Sequence, residues 1–121
     1  MSDTFIHPSA EQLAAIQELD ANGPIVMLNM LRFAPDNGAA EYARYAAAAT
    51  PFLQATGAEI RYVGDVRATV IGADEWDEIV LVQSPSKQAF LEMISNPDYP
   101  ADIRAGALVD SRLYCTQAGE F

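Results

Sequence analysis

One cysteine, one histidine and one tryptophan are spread over 121 residues. A lone cysteine, Cys115, excludes an intramolecular disulfide, and with His7 as the single histidine there is no Cys/His ligand set for a structural zinc. Cys115 reads as a small hydrophobe in the last strand rather than a nucleophile. A Ser-His-Asp or Cys-His site would have to recruit His7, which precedes Pro8 near the chain start and reads as a surface or docking residue. Basic residues are scarce: seven Lys and Arg face seventeen Asp and Glu, for a net charge of −10 and a pI of about 4.2. That balance opposes phosphate backbones and anionic membranes, so neither nucleic acid nor membrane is an expected partner. No apolar run approaches the length of a membrane span. Met1-Ser2-Asp3 lacks the basic and apolar regions of a signal peptide, and the expected location is the cytoplasm.

Half of the residues are hydrophobic and 20% are charged, which suits a globular chain able to bury a core without disulfide or metal. The length predicts a single domain over 1–121, with residues 1–23 as an N-terminal helical extension.

The stretch Trp76 to Tyr99 organises the rest. Ile79 to Val82 is a short apolar run rich in β-branched residues, which suits a strand buried on both faces. Ser84-Pro85 ends it and opens a helix, with serine as the cap and proline in the first turn. Ala89, Phe90, Met93 and Ile94 follow at helical spacing, and Asn96-Pro97 stops the helix. Upstream, Ser9 and Gln12 form a capping box for a helix to about Asp20, with a thin stripe of Leu13, Ile16 and Leu19. Residues 25–33 form a strand apolar on both parities, interrupted by Asn29. A turn at 34–38 leads to an alanine-rich helix, 39–56, whose inward face carries Tyr42, Tyr45, Ala46, Ala49, Phe52 and Leu53. Pro51 predicts a kink in it and Gly57 its C-terminal cap. Residues 58–71 read as one long strand with a bulge or bend at Gly64. An acidic turn with Asp74, Glu75, Asp77 and Glu78 returns the chain to the 79–84 strand; its spacing matches no metal loop, and it reads as a solvated turn. A helical piece over 98–105 and a strand over 107–116 complete the chain.

The order β-α-β-β-α-β is the ferredoxin-like α+β arrangement, with two helices on one face of an antiparallel sheet. The other face is left open although strand residues of both parities are apolar. A second copy docked sheet against sheet, as a two-fold homodimer, would cover it. A small-molecule cavity is then expected between the sheets, and polar residues on the inner face become its candidates. These are Asn29, Arg61 and Arg67 if Gly64 leaves them facing inward, and either Ser111 or Arg112, which parity alone does not separate. Tyr62 and Tyr114 are candidate walls, and Tyr45 and Trp76 further substrate contacts.

The segments Pro24-Ile-Val-Met-Leu-Asn-Met-Leu-Arg-Phe33, Tyr42-Ala-Arg-Tyr45, Val70-Ile-Gly72, Trp76-Asp-Glu-Ile-Val-Leu-Val82, Pro85-Ser-Lys-Gln-Ala-Phe-Leu91, Asn96-Pro-Asp-Tyr99 and Asp110-Ser-Arg-Leu113 together resemble the domain-of-unknown-function family 1330. The helix His7-Pro-Ser-Ala-Glu-Gln-Leu13 resembles a subgroup of it. The resemblance spans nearly the whole chain and implies a dimeric α/β barrel. Its superfamily includes cofactor-independent monooxygenases of quinone-like substrates, haem-degrading enzymes, dye-decolourising peroxidases and muconolactone isomerases. No catalytic pattern of these relatives transfers residue by residue. Haem-ligating members need a histidine within the barrel, and Tyr99-Pro100 departs from the family pattern.

Two functions of different class follow. The first is a small-molecule enzyme, cofactor-free, acting as an oxygenase or isomerase on an aromatic, quinone-like or lactone substrate. There Asn29 bonds a carbonyl or oxyanion and Arg61 or Arg112 supplies positive charge. Asp110 is a base only if buried. The second is a non-catalytic dimeric binding or stress-associated module. Neither requires a metal or cofactor.

Overall fold

The computed structural model describes residues 3–119. In chain order they form α1 (Ala10–Glu18), β1 (Ile25–Phe33), α2 (Gly38–Thr56), β2 (Glu59–Asp65), β3 (Glu78–Ser84), α3 (Lys87–Ser95), α4 (Ala101–Ala107) and β4 (Leu108–Thr116). The strands make one antiparallel sheet in the order β2-β3-β1-β4. This is the ferredoxin-like α+β fold, with α2 and α3 over one face.

Local chemistry explains the element ends. Ser9 and Gln12 exchange both bonds of a capping box, each pairing one side chain with the other's backbone N–H. Gly57, at φ 78°, supplies the left-handed residue that ends α2. α2 continues through Pro51, which has no N–H to offer Ala47. Gly38 opens α2 where a Cβ would lie 2.8 Å from the Ala107 carbonyl oxygen, so only glycine permits this approach of helix to β1 and α4. Three expectations are corrected. α3 is capped by Ser86, whose Oγ accepts from Ala89 N–H at 3.0 Å, and not by Ser84, which is the buried end of β3. β2 stops at Asp65, and residues 66–77 form a loop tied at its base by Val66 N–H to the Asp77 carbonyl, 2.9 Å. The irregularity in β2 falls at Arg61, between Ile60 and Tyr62, and not at Gly64.

That bulge reverses the parity of β2. Ile60 pairs with Val82 and faces the helices, whereas Tyr62 pairs with Leu81 on the open face. In β1 the helix-facing row is Ile25, Met27, Asn29, Leu31 and Phe33. Its apolar members fall into two separate clusters. Ile25 and Met27 pack with Phe90 and Met93, flanked by Phe52, Leu53 and Ile94. Leu31 packs with Val80, Ala107 and Leu108, flanked by Phe33, Tyr42 and Ile6. Each fully buried aliphatic chain contributes about 1.5–3 kcal/mol. Asn29 stands between the clusters, where the apolar core is interrupted.

The open face carries Val26, Leu28, Met30, Ile79 and Leu81, all half-buried, with Tyr62 and Tyr114 exposed at its flanks. Loop 66–77 folds across its Met30 and Ile79 end around a hollow of about 470 Å³. The face expected to be wholly bare is therefore partly covered by the chain itself.

Candidate functional site

The gap between the two apolar clusters is a cavity of about 990 Å³ between the sheet and the helices. It lies on the helix-covered side of a single chain. It is a different space from the cavity expected between the sheets of two copies, and Asn29 faces it, toward α2 and α4.

Most of the wall is apolar, from Met27, Val80 and Val82 of the sheet to Phe90, Met93 and Leu53 of the helices. A compact polar cluster interrupts it. Asn29 is 8% exposed and donates from Nδ2 to the Val80 carbonyl at 3.3 Å. Its Oδ1 accepts from Arg104 Nη2 at 3.4 Å. Arg104 reaches in from α4, and its Nη1 donates to the Ile6 carbonyl of the N-terminal arm at 3.2 Å. Tyr42 lies beside Arg104; burial first, and then the neighbouring Tyr45, push its hydroxyl up to about 12. The Tyr45 and Tyr99 hydroxyls hydrogen-bond each other from α2 and the turn before α4, with ring centroids 6.1 Å apart in an edge arrangement. Burial likewise raises Tyr99. Glu78 also lines the cavity, one side-chain repeat from Val80 along the same face of β3, roughly 7 Å. Burial and then the Asp65 charge push its carboxyl above the usual carboxylate range.

The remaining sequence candidates separate. Tyr45 and Ser111 line the cavity together with Asn29. Ser111 faces the helices opposite Leu31, and Arg112 faces the open side opposite Met30, which resolves the parity left undecided by sequence. Arg112 borders the cavity but is committed elsewhere: it pairs with Asp110 at 2.6 Å and stacks on Phe5 and Trp76. Tyr114 touches the rim and pairs with Leu28 on the open face. Arg61, Tyr62 and Arg67 do not line the cavity. Arg61 is exposed on the edge strand and bonds Gln83 and Glu59, Tyr62 is 55% exposed on the open face, and Arg67 lies in the exposed 66–77 loop. Trp76 is also outside, on the open face, stacked between Arg32 and Arg112 with centroid distances of 5.3 and 5.1 Å.

Asp110 is buried, the condition set for it as a base, but it is already engaged. Burial raises its carboxyl, and this is outweighed by hydrogen bonds from Phe5 N–H, Arg112 and Ser111 N–H, which hold it below the usual range. His7 sits exposed on the N-terminal arm at the cavity mouth, nearer the pocket than its place in the sequence indicates. Cys115 packs beside the Ile25–Met27 cluster, and burial pushes its thiol up. Among the described residues no group of three or more His, Cys, Asp or Glu is arranged to hold a metal ion, and no helix is long and apolar enough to cross a membrane. Sequence reasoning missed Arg104, Tyr42, Tyr99 and Glu78 as site residues. Tyr42 carried a signal, as one of the inward positions of α2.

Sheet order and helix placement define a ferredoxin-like α+β protein with an internal cavity. Searches of protein-family models and of curated proteins find no match, so the likeness to family 1330 remains one of motifs. Among solved structures, RPA0582 from Rhodopseudomonas palustris, a protein of unknown function, is 32% identical with a TM-score of 0.89, covering 98% of this chain and 99% of that one. The methylated form of RPA0582 gives 32% identity and a TM-score of 0.91, over 97% and 96% of the two chains. The chain belongs to the family of RPA0582. A dimeric ferredoxin-like protein of unknown function from Thermobifida fusca shares the fold at 16% identity and a TM-score of 0.55, over 84% of this chain and 96% of that one.

Proposed function

We propose that the protein binds a small, mainly apolar molecule in the cavity between sheet and helices, with its polar end at the Asn29–Arg104 cluster. The observation that carries this reading is the placement of a buried amide and a guanidinium together in a mainly apolar cavity of about 990 Å³. The amide and the guanidinium find partners within the chain, but those of Arg104 are neutral oxygens, of Ile6, Asn29 and Tyr42, which leaves its charge without an anion among the described residues. An aromatic, quinone-like or lactone body matches the walls, which offer the rings of Tyr42, Tyr45, Tyr99 and Phe90.

The residues suit a cofactor-independent isomerisation or oxygenation. Glu78, with its raised carboxyl, is placed to move a proton. Asn29 and Arg104 then stabilise negative charge developing on a ligand oxygen. The working unit in this reading is a homodimer through the open sheet face. Its support is the apolar row Val26, Leu28 and Leu81 with exposed Tyr62 and Tyr114, and the dimeric state of the Thermobifida fusca neighbour.

Native mass spectrometry of freshly purified protein tests the binding role. A reproducible small added mass is expected, and Asn29→Ala should lose it. Bare protein that also takes up no aromatic or lactone probe would overturn the reading.

A further inference from the structure

Among the described residues three arginines have a carboxylate in ion-pair contact: Arg44 with Glu41 at 2.9 Å, Arg61 with Glu59 at 3.3 Å and Arg112 with Asp110 at 2.6 Å. Arg104 has none among the described residues. Scarcity of acids is not the reason, because seventeen Asp and Glu face seven Lys and Arg. Two of the guanidinium's N–H groups reach neutral oxygens, at 3.2 and 3.4 Å. Charge-assisted bonds run shorter, about 2.7–2.9 Å, and the planar fork of arginine matches a carboxylate with two parallel bonds. A half-buried guanidinium with no carboxylate, beside the buried Asn29, would gain from an anion entering the cavity.

We infer that the ligand of this cavity is a small apolar monocarboxylic acid whose carboxylate is held by Arg104 with the Asn29 side-chain amide beside it. The inference rests on the binding role proposed above and names the chemical class it serves. A single negative charge is specified because the other lining guanidinium, Arg112, already holds Asp110. The titratable groups that face Arg104 from neighbouring elements are Tyr42 of α2, Tyr99 of the turn before α4 with its partner Tyr45, and Glu78 of β3, with His7 on the arm lining the same cavity. Glu78 lies beyond ion-pair distance of Arg104, and its burial favours the neutral acid, which weakens its repulsion of an incoming anion. Nonspecific uptake of acids is opposed by the net charge of −10, so any preference for a carboxylate has to arise locally.

The test is isothermal titration of the full chain at neutral pH with benzoate, 2-naphthoate and decanoate, each against its own primary amide. The amide keeps the shape and one acceptor oxygen but lacks the charge and the second acceptor. In wild type at least one acid should bind roughly tenfold or more tighter than its amide. Arg104→Gln should bring that ratio to within about twofold, with the acid losing far more affinity than the amide. Should Arg104→Gln fail to fold, Arg104→Lys retains the charge, loses the fork, and should cut the preference by about threefold or more. Amides binding as well as acids, or a preference untouched by either variant, overturns the inference and leaves the binding role standing. Failure of every acid and every amide to bind overturns both.

Discussion

Arg104 of α4 and Asn29 of β1 lie 75 positions apart in sequence, and the Arg104 guanidinium donates to the Asn29 side-chain oxygen at 3.4 Å in the middle of the cavity. Asn29 also holds the Val80 carbonyl, so one buried amide links β1, β3 and α4. The residue that splits the core into two apolar clusters is thus the one that joins the elements around the gap.

Asn29→Ala should lower unfolding free energy by about 1–3 kcal/mol, because the half-buried Arg104 and the Val80 carbonyl each lose a partner and the cavity grows. Asn29→Leu should recover part of that loss by filling the gap with apolar volume, while abolishing any co-purifying mass. Urea denaturation of the three proteins gives the comparison. Equal stability of wild type and Asn29→Ala would remove Asn29 from the structural account.

The buried tyrosines predict alkaline behaviour. Tyr42 is pushed up to about 12 and Tyr99 is raised in the same direction, both first by burial. Their neutral forms are favoured in the folded chain, so the stability they contribute is complete below the unfolded tyrosine value of 10.0. It is lost as pH rises from there toward about 12. Ultraviolet titration of tyrosinate should show a late component that disappears in Tyr42→Phe and Tyr99→Phe together. A wild-type titration finished by about pH 11 would contradict the burial of both hydroxyls.

Much of this arrangement could be read from the chain, and the failures have physical causes. The start of α1 and the end of α2 are legible because Ser9 with Gln12, and Gly57, act through contacts only a few residues away, whereas α1 stops at Glu18, short of Asp20. Asn29 stood out as an amide inside an apolar run. Arg104 did not, because α4 spans only Ala101–Ala107, too short for a hydrophobic period, and its partner is remote in sequence. The bulge was assigned to Gly64 because glycine signals irregularity. The structure uses the missing Cβ of Gly64 to seat the Tyr62 ring, which a Cβ there would strike, and puts the extra residue at Arg61. That bulge turns Ile60 toward the helices and leaves Tyr62 on the open face, the side a second copy would cover.

Acid should release the N-terminal arm. Asp110 accepts from Phe5 N–H at 2.9 Å, Ser111 Oγ donates to the Phe5 carbonyl at 2.7 Å, and Arg112 bridges Asp110 to the Trp76 ring. The folded chain holds Asp110 below its ordinary value of 3.8. Its contribution is therefore complete above that value and fades as pH falls beneath it. Trp76 is the single tryptophan, so its fluorescence reports the change directly. Emission should shift on acidification, and Asp110→Asn should show a similar shift at neutral pH. An Asp110→Asn spectrum identical to wild type would separate the carboxylate from the arginine–tryptophan stack.

The open sheet face supplies the last prediction. Leu28 and Leu81 lie opposite each other in the β1–β3 register and are half-buried in one chain, with Tyr62 and Tyr114 exposed beside them. Burying such a row against a second copy stabilises association by about 25 cal/mol per Å² of apolar surface before the cost of ordering two chains. Light scattering should give twice the 13.1 kDa chain mass for wild type. Tyr62→Asp, at a position 55% exposed on an edge strand, should shift the population toward monomer without unfolding the chain. The cavity lies mainly on the helix side of the sheet and Tyr62 does not line it, so monomeric Tyr62→Asp should still bind an aromatic carboxylate. Loss of binding with dissociation would instead mean that the second copy shapes the pocket.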